Sequence, residues 1–281
     1  MTKEVYGEST IASSDDTQLL CRWWLPEGPI SDTVAVVHGL GDHSGRYVEL
    51  AQALTLRGIA VYAVDLRGHG RSAGRRGHVM SFDEYDCDAQ SLIDLCLDRS
   101  GMTPALLGHS MGGVVVLHHL LRHPAVVRRA VVSAPALRLR LRMAHWQVAL
   151  APTLSRIVPT FTDSNGIGPA SLSSDPEVVD AYARDPLVHD RVTARTFVEL
   201  DRASRQVMEH AGAIEACLLL LHGAADPVTD PEASRELYEQ LKAPGSRLLV
   251  VPGMMHEPLN EVGRQAVYAE IADWLALTAD R

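Results

Sequence analysis

Gly108-His109-Ser110-Met111-Gly112 decides the fold of this chain, because it fits Gly-x-Ser-x-Gly and joins the apolar stretch Pro104-Ala105-Leu106-Leu107 to a second apolar run, Val114 to Leu121. A strand, a sharp turn and a helix in that order form a nucleophile elbow, which lifts a strained serine above the edge of a sheet. Lacking a Cβ, Gly108, Gly112 and Gly113 let strand and helix approach closely, and Pro124 marks the end of the helix. The same turn could hold a serine that only caps the helix behind it. Partner residues elsewhere separate the two readings.

Outward from the elbow the chain alternates. Residues 5 to 12 and 17 to 25 read as strands around the polar turn Ser13-Ser14-Asp15-Asp16, an antiparallel hairpin at one sheet edge. Thr33 to Val37 and Ile59 to Val64 are β-branched runs with no polar face, as in strands covered on both sides. Helices are expected from about Tyr47 to Gly58 and from Ser81 to Arg99, the latter with acids at its start where the helix dipole favours them. Ala130 to Pro135 is a further strand. Residues 136 to 212 break the rhythm with recurrent prolines and the irregular Asn165-Gly166-Ile167-Gly168-Pro169, and are expected to form a largely helical cap without a clear strand. Alternation resumes with Cys217 to Leu221, a helix from Asp230 to Leu241, the strand Leu248 to Val251 and a last helix near Asn260 to Leu277. The pattern predicts an α/β fold: a mostly parallel eight-stranded sheet with helices on both faces, a core of residues 1–135 and 213–281, and the inserted cap 136–212.

A serine hydroxyl needs a base to take its proton and a carboxylate to orient that base. On such a sheet the order is serine, acid, histidine, each beyond the carboxyl end of a strand. Asp226 follows the strand ending at Leu221 and is the expected acid; its neighbour Asp230, in Asp230-Pro231-Glu232, reads instead as a helix N-cap. His256, after the final strand, is the expected base. His38, His109 and His222 are read as packing or hydrogen bonding nearby. The oxyanion hole falls to the backbone N–H groups of Met111, after the nucleophile, and Leu40, after an early strand.

Composition excludes other classes. A net charge of −9 argues against general affinity for nucleic acid. Cys21, Cys87, Cys96 and Cys217 lie without metal-ligand spacing, so no zinc site or disulfide framework is expected, and Cys87 and Cys96 read as buried small hydrophobes. Residues 1 to 7 lack the apolar core of a signal peptide, and no run of about 18 apolar residues occurs; the expectation is a soluble, cytoplasmic protein.

The chain resembles the monoacylglycerol lipase and lysophospholipase branch of the α/β-hydrolase superfamily over nearly its whole length. The resemblance rests on residues 38–47 (His-Gly-Leu-Gly-Asp-His-Ser-Gly-Arg-Tyr), 65–72, 108–113, Asp185-Pro186-Leu187-Val188-His189 and 256–261 (His-Glu-Pro-Leu-Asn-Glu). It implies Ser110, Asp226 and His256 as the triad, Leu40 and Met111 as oxyanion donors, and a cap over an acyl-binding tunnel. It departs from the family at Asp42, where glutamate is frequent. Such an enzyme hydrolyses a monoacylglycerol or similar single-chain ester through an acyl-enzyme and requires no cofactor. Lysophospholipids and other esters stay open as substrates. So does N-terminal peptide cleavage, with cap acids Asp163, Asp175, Glu177 and Asp180 to hold an ammonium group, and so does a non-hydrolytic receptor on the same scaffold. Residues 137–142, alternating leucine and arginine, run into the apolar Met143 to Leu150; this segment is expected either to touch an anionic lipid surface or to line the tunnel with its arginines paired to core acids. Oligomeric state is left open.

Overall fold

The computed structural model describes residues 5–140 and 145–279, with the side chains of 145–149 outside that description. Among the described residues, ten strands and eight α-helices follow one another. The main sheet contains β1 (Tyr6–Ala12), β2 (Gln18–Trp24), β3 (Asp32–Val37), β4 (Ile59–Val64), β5 (Ala105–His109), β6 (Arg129–Ser133), β9 (Cys217–Gly223) and β10 (Arg247–Val251). Its order is β1-β2-β4-β3-β5-β6-β9-β10, antiparallel only where β2 meets β1 and β4. The predicted eight strands and edge hairpin are both present.

Period-two alternation explains the two-sided core. Along β4, Ala60, Tyr62 and Val64 pack with Leu92 and Ile93 of α2 (Asp83–Ser100) and Val114 and Leu117 of α3 (Met111–Arg122). Ile59, Val61 and Ala63 face the other way, onto Leu50 and Leu54 of α1 (Val48–Thr55) and Ile271 and Trp274 of α8 (Arg264–Leu277). Both faces of a parallel sheet are thus buried, which is why its strands lack a polar side.

Between β6 and β9 stand α4 (His145–Ile157), α5 (Pro176–Arg184) and α6 (Ala194–His210). Leu200, Ala203 and Val207 of α6 join the core beside α3. The expectation of no strand here is corrected: β7 (Thr162–Ser164) pairs antiparallel with β8 (Arg191–Thr193). Three-residue polar strands carry no periodicity for a sequence reading to detect. The last helix also starts later than expected, after a 3₁₀ turn at Pro258–Asn260. Cys96 is buried, whereas Cys87 is only half-buried. Helix α7 (Pro231–Gln240) begins as predicted, with Asp230 accepting from the Glu232 N–H and Pro231 in the first position. Among the described residues no helix is long and apolar enough to cross a membrane.

Candidate active site

Ser110 stands between β5 and α3 with φ 53° and ψ −117°, a conformation that non-glycine residues rarely adopt. Its side chain makes no capping bond to the helix. The turn is fixed around it: the Ser110 N–H donates to the Ser133 carbonyl at 2.9 Å, and its own carbonyl accepts from Gly113 at 3.0 Å and Ala136 at 3.1 Å. Gly112 is obligatory by contact, since a Cβ there would overlap the Val37 and His38 carbonyls at the end of β3. The elbow therefore presses against the loop that carries Leu40.

His256 Nε2 lies 3.0 Å from Ser110 Oγ, and His256 Nδ1 lies 2.8 Å from Asp226 Oδ2. A carboxylate only accepts, so Nδ1–H donates to Asp226 and Nε2 keeps its lone pair for the serine proton. Ser110, Asp226 and His256, predicted from three separate loops, are brought together and are nearly inaccessible to solvent. Met111 takes the first position of α3, where an N–H has no intrahelical acceptor. Leu40 and Met111 both line the cavity that Ser110 faces.

Asp226 is satisfied on every side. Its Oδ1 accepts from the Val228 and Thr229 N–H groups at 2.7 and 3.0 Å, and its Oδ2 also lies 2.7 Å from Thr229 Oγ1 and 3.0 Å from His222 Nε2. Burial works to raise the Asp226 carboxyl, but hydrogen bonds from His222 and His256 outweigh it and hold it well below the usual carboxylate range. His222, expected to pack or hydrogen-bond near the site, bonds directly to the acid. His38 instead bonds backbone, with Nδ1 2.7 Å from the Gly39 carbonyl and Nε2 accepting from Leu66 N–H. The His109 ring centroid is 4.9 Å from that of His256, and burial, aided by the His256 charge, lowers its pKa to about 4.

A charged bracket ties the loops together. Arg46 donates to both oxygens of Glu257 at 2.8 and 2.7 Å and to Asp42 at 3.2 Å, with Tyr182 of α5 4.6 Å beneath its guanidinium. His43 Nε2 is 2.8 Å from Asp185, and the His189 N–H donates to the Gly41 carbonyl at 2.9 Å. Gly41, at φ 78°, admits this approach because a Cβ would overlap the His189 carbonyl. Glu257 and Arg46 lie 211 residues apart, so only the fold joins them.

Two cavities meet at Ser110. One is apolar, lined by Leu40, Met111, Ala136, Leu139, Ile167, Val192, Phe197, Leu200 and Val228 with Ser164 and Asn165 at its side. The other is smaller and mixed, with Leu40, Ile167 and Leu172 facing Asp42, His109, Tyr182, His256 and Glu257. The acids weighed for binding an ammonium group are partly engaged: Asp175 caps α5 and lies 3.0 Å from Arg264, and Asp180 lies 2.8 Å from Arg184. Arg138 pairs with Asp230 and Glu236, and Arg140 with Asp230 at 2.9 Å. Residues 141–144 and the side chains of 145–149 lie outside the described residues, and the part of the lipid-contact expectation that rests on them falls there, while Leu150 is exposed.

The serine aminopeptidase S33 family model matches residues 28–263. The chain is 31% identical over 277 residues to a monoacylglycerol lipase of Mycolicibacterium smegmatis, covering 98% of this chain and 99% of that one. It is 31% identical over 275 residues to the human monoglyceride lipase, covering 95% and 89%. The crystal structure of Paleococcus ferrophilus monoacylglycerol lipase superposes with a TM-score of 0.81 at 35% identity, covering 96% of this chain and 98% of that one. The fold is the α/β-hydrolase fold.

Proposed function

The chain belongs to the serine aminopeptidase S33 family of α/β hydrolases, and from that premise we propose that it is a serine carboxylester hydrolase that cleaves monoacylglycerols, or similar single-chain lipid esters, to fatty acid and alcohol. The observation that carries the reading is the pair of cavities meeting at Ser110. An apolar slot suits one acyl chain, and the smaller one, which sets Asp42, His109, Tyr182 and Glu257 beside Ser110, suits a hydroxylated alcohol. Residues 136–212 act as the cap that supplies the slot's outer wall.

Ser110 Oγ attacks the ester carbonyl as His256 Nε2 takes its proton, and Asp226 holds the resulting imidazolium in register. The N–H groups of Leu40 and Met111 receive the oxyanion. His256 then protonates the departing alcohol, and a water activated by the same nitrogen releases the fatty acid. The protein's own groups supply every proton transfer in this sequence.

Leu150, Ile157, Val158 and Phe161 are exposed apolar residues on and just after α4, and this supports reversible contact of the cap with a lipid surface. Co-sedimentation with phosphatidylglycerol vesicles at low salt tests that contact; protein left in the supernatant would discard it.

The deciding experiment is hydrolysis of monoacylglycerols, lysophosphatidylcholine, p-nitrophenyl esters and aminoacyl-anilides by the native protein and by Ser110→Ala. Monoacylglycerols leading the panel, with loss of activity in the variant, supports the proposal. Anilides leading would move the assignment to peptide cleavage, and no turnover on any substrate would move it to ligand binding.

A further inference from the structure

Away from the elbow, α2 and α3 bring Asp86, His119 and His123 together. His119 Nδ1 is 2.8 Å from Asp86 Oδ1, His123 Nε2 is 3.0 Å from Asp86 Oδ2, and the two rings are 4.6 Å apart. His119 stands in the last turn of α3 and His123 is its C-cap residue, and the two rings meet at that end of the helix. One donor atom from each residue falls within 4.8 Å of the others.

We propose that Asp86, His119 and His123 bind one divalent transition-metal ion of the zinc class. Two imidazole nitrogens and a carboxylate form an N/O donor set that suits Zn²⁺, Co²⁺ or Ni²⁺, whereas Mg²⁺ and Ca²⁺ favour all-oxygen shells. In a tetrahedral shell, ligand bonds of about 2.0 to 2.2 Å place neighbouring donor atoms about 3.4 Å apart, slightly more than the 2.8 and 3.0 Å now spanned by the two His–Asp hydrogen bonds. The ion takes the place of those bridging protons. At His119 the exchange moves the ring proton to Nε2, which is buried without a partner among the described residues; Nδ1 then offers its lone pair, and the metal bond has to offset the cost of that unpaired N–H.

The surroundings permit a cation. Arg122, whose Nε is 3.8 Å from Asp86, is neutralised by Asp83 at 2.6 Å, which leaves the Asp86 charge for the metal. His118 Nε2 stands 4.0 Å from Asp83, and Glu199 and Arg202 line the same hollow as Asp83, His118 and Arg122. The His123 side chain is 37% exposed while that of His119 is fully buried, so the ion enters from the His123 side, where water can fill its remaining position. His119 lies nine residues beyond Ser110, about 14 Å along the helix at about 1.5 Å per residue. The site is therefore separate from the hydrolytic one.

The test uses tag-free full-length protein, dialysed against EDTA and titrated with Co²⁺ alone, with visible absorption and equilibrium dialysis as readouts. One Co²⁺ per chain, with d–d bands of an N/O site and a raised Tm, is expected. His123→Ala should weaken binding by more than the roughly 10- to 100-fold that loss of an outer-shell partner costs, while ester turnover persists. Absence of stoichiometric Co²⁺ in the native protein overturns the proposal, and so does equal binding in folded His123→Ala, which would place the ion elsewhere. Asp86→Asn provides a second arm, and if it fails to fold, the half-exposed His123 variant still decides.

Discussion

His222 Nε2 lies 3.0 Å from Asp226 Oδ2, the same oxygen that His256 Nδ1 reaches at 2.8 Å. One carboxylate oxygen thus holds two imidazoles, and His222 is in turn fixed by Ser234 Oγ at 2.7 Å from its Nδ1. This chain of bonds keeps Asp226 aimed while the charge on His256 rises and falls. Replacing His222 by leucine should leave KM for a monoacylglycerol unchanged and lower kcat about tenfold, equivalent to about 1.4 kcal/mol of transition-state stabilisation. His222→Gln, whose amide can still donate, should recover part of the loss. Steady-state kinetics of the two variants would discard the positioning role if kcat held in both.

Backbone strain at Ser110 is measurable separately from chemistry. Ser110→Ala should reduce turnover by about 10⁴ to 10⁶ with the fold retained. Ser110→Gly loses the same nucleophile but relaxes φ 53°. Strain of about 1 to 3 kcal/mol, less the roughly 0.5 to 1 kcal/mol of extra unfolded-state entropy of glycine, leaves the glycine variant more stable by about 1 kcal/mol. Urea midpoints that put alanine above glycine would refute stored strain at the elbow.

The parts that sequence made legible are those with local signatures. The unbroken apolar runs of β4 and β9, the glycine spacing around Ser110 and the Asp-Pro start of α7 are all short-range patterns, and the structure places each as expected. What it adds is long-range. Arg46 and Glu257 are 211 residues apart, and Arg22 reaches Asp65 across adjoining strands; neither partner is implied by its neighbours. His222 lies four residues from Asp226, yet the bend after β9, not any periodicity, turns its ring onto the acid. The strands β7 and β8 escaped detection for the same reason, since three residues hold no period.

Glu257 links pH to stability. Burial would raise its carboxyl, but the Arg46 guanidinium dominates and lowers it from 4.5 to about 2. A folded-state value below the unfolded one contributes stability that is complete above about 4.5 and disappears as pH falls towards 2. At pH 7 the contribution is roughly 3 kcal/mol by linkage, in the range for breaking one side of a buried pair. Glu257→Gln should therefore be destabilised by about that amount at pH 7, and its deficit against the native protein should shrink as pH is taken from 5 to 3. A deficit constant across that range, in urea titrations, would mean that the pair does not set the acid limb.

Acyl preference should follow the wall opposite Ser110. Ile167 borders both cavities at Ser110 and is carried by the irregular loop before Pro169, where a larger side chain can enter without disturbing the sheet. A tryptophan there fills part of the slot. Each methylene denied burial forfeits about 0.8 kcal/mol, close to fourfold in kcat/KM, so long chains lose most and short chains least. Ile167→Trp should move the acyl-length optimum of monoacylglycerol hydrolysis to shorter chains, with kcat/KM for a C4 ester nearly unchanged and that for a C16 ester down by more than tenfold. A uniform drop across all lengths would show that the loop positions the triad rather than the chain, and would separate the acyl slot from this cavity.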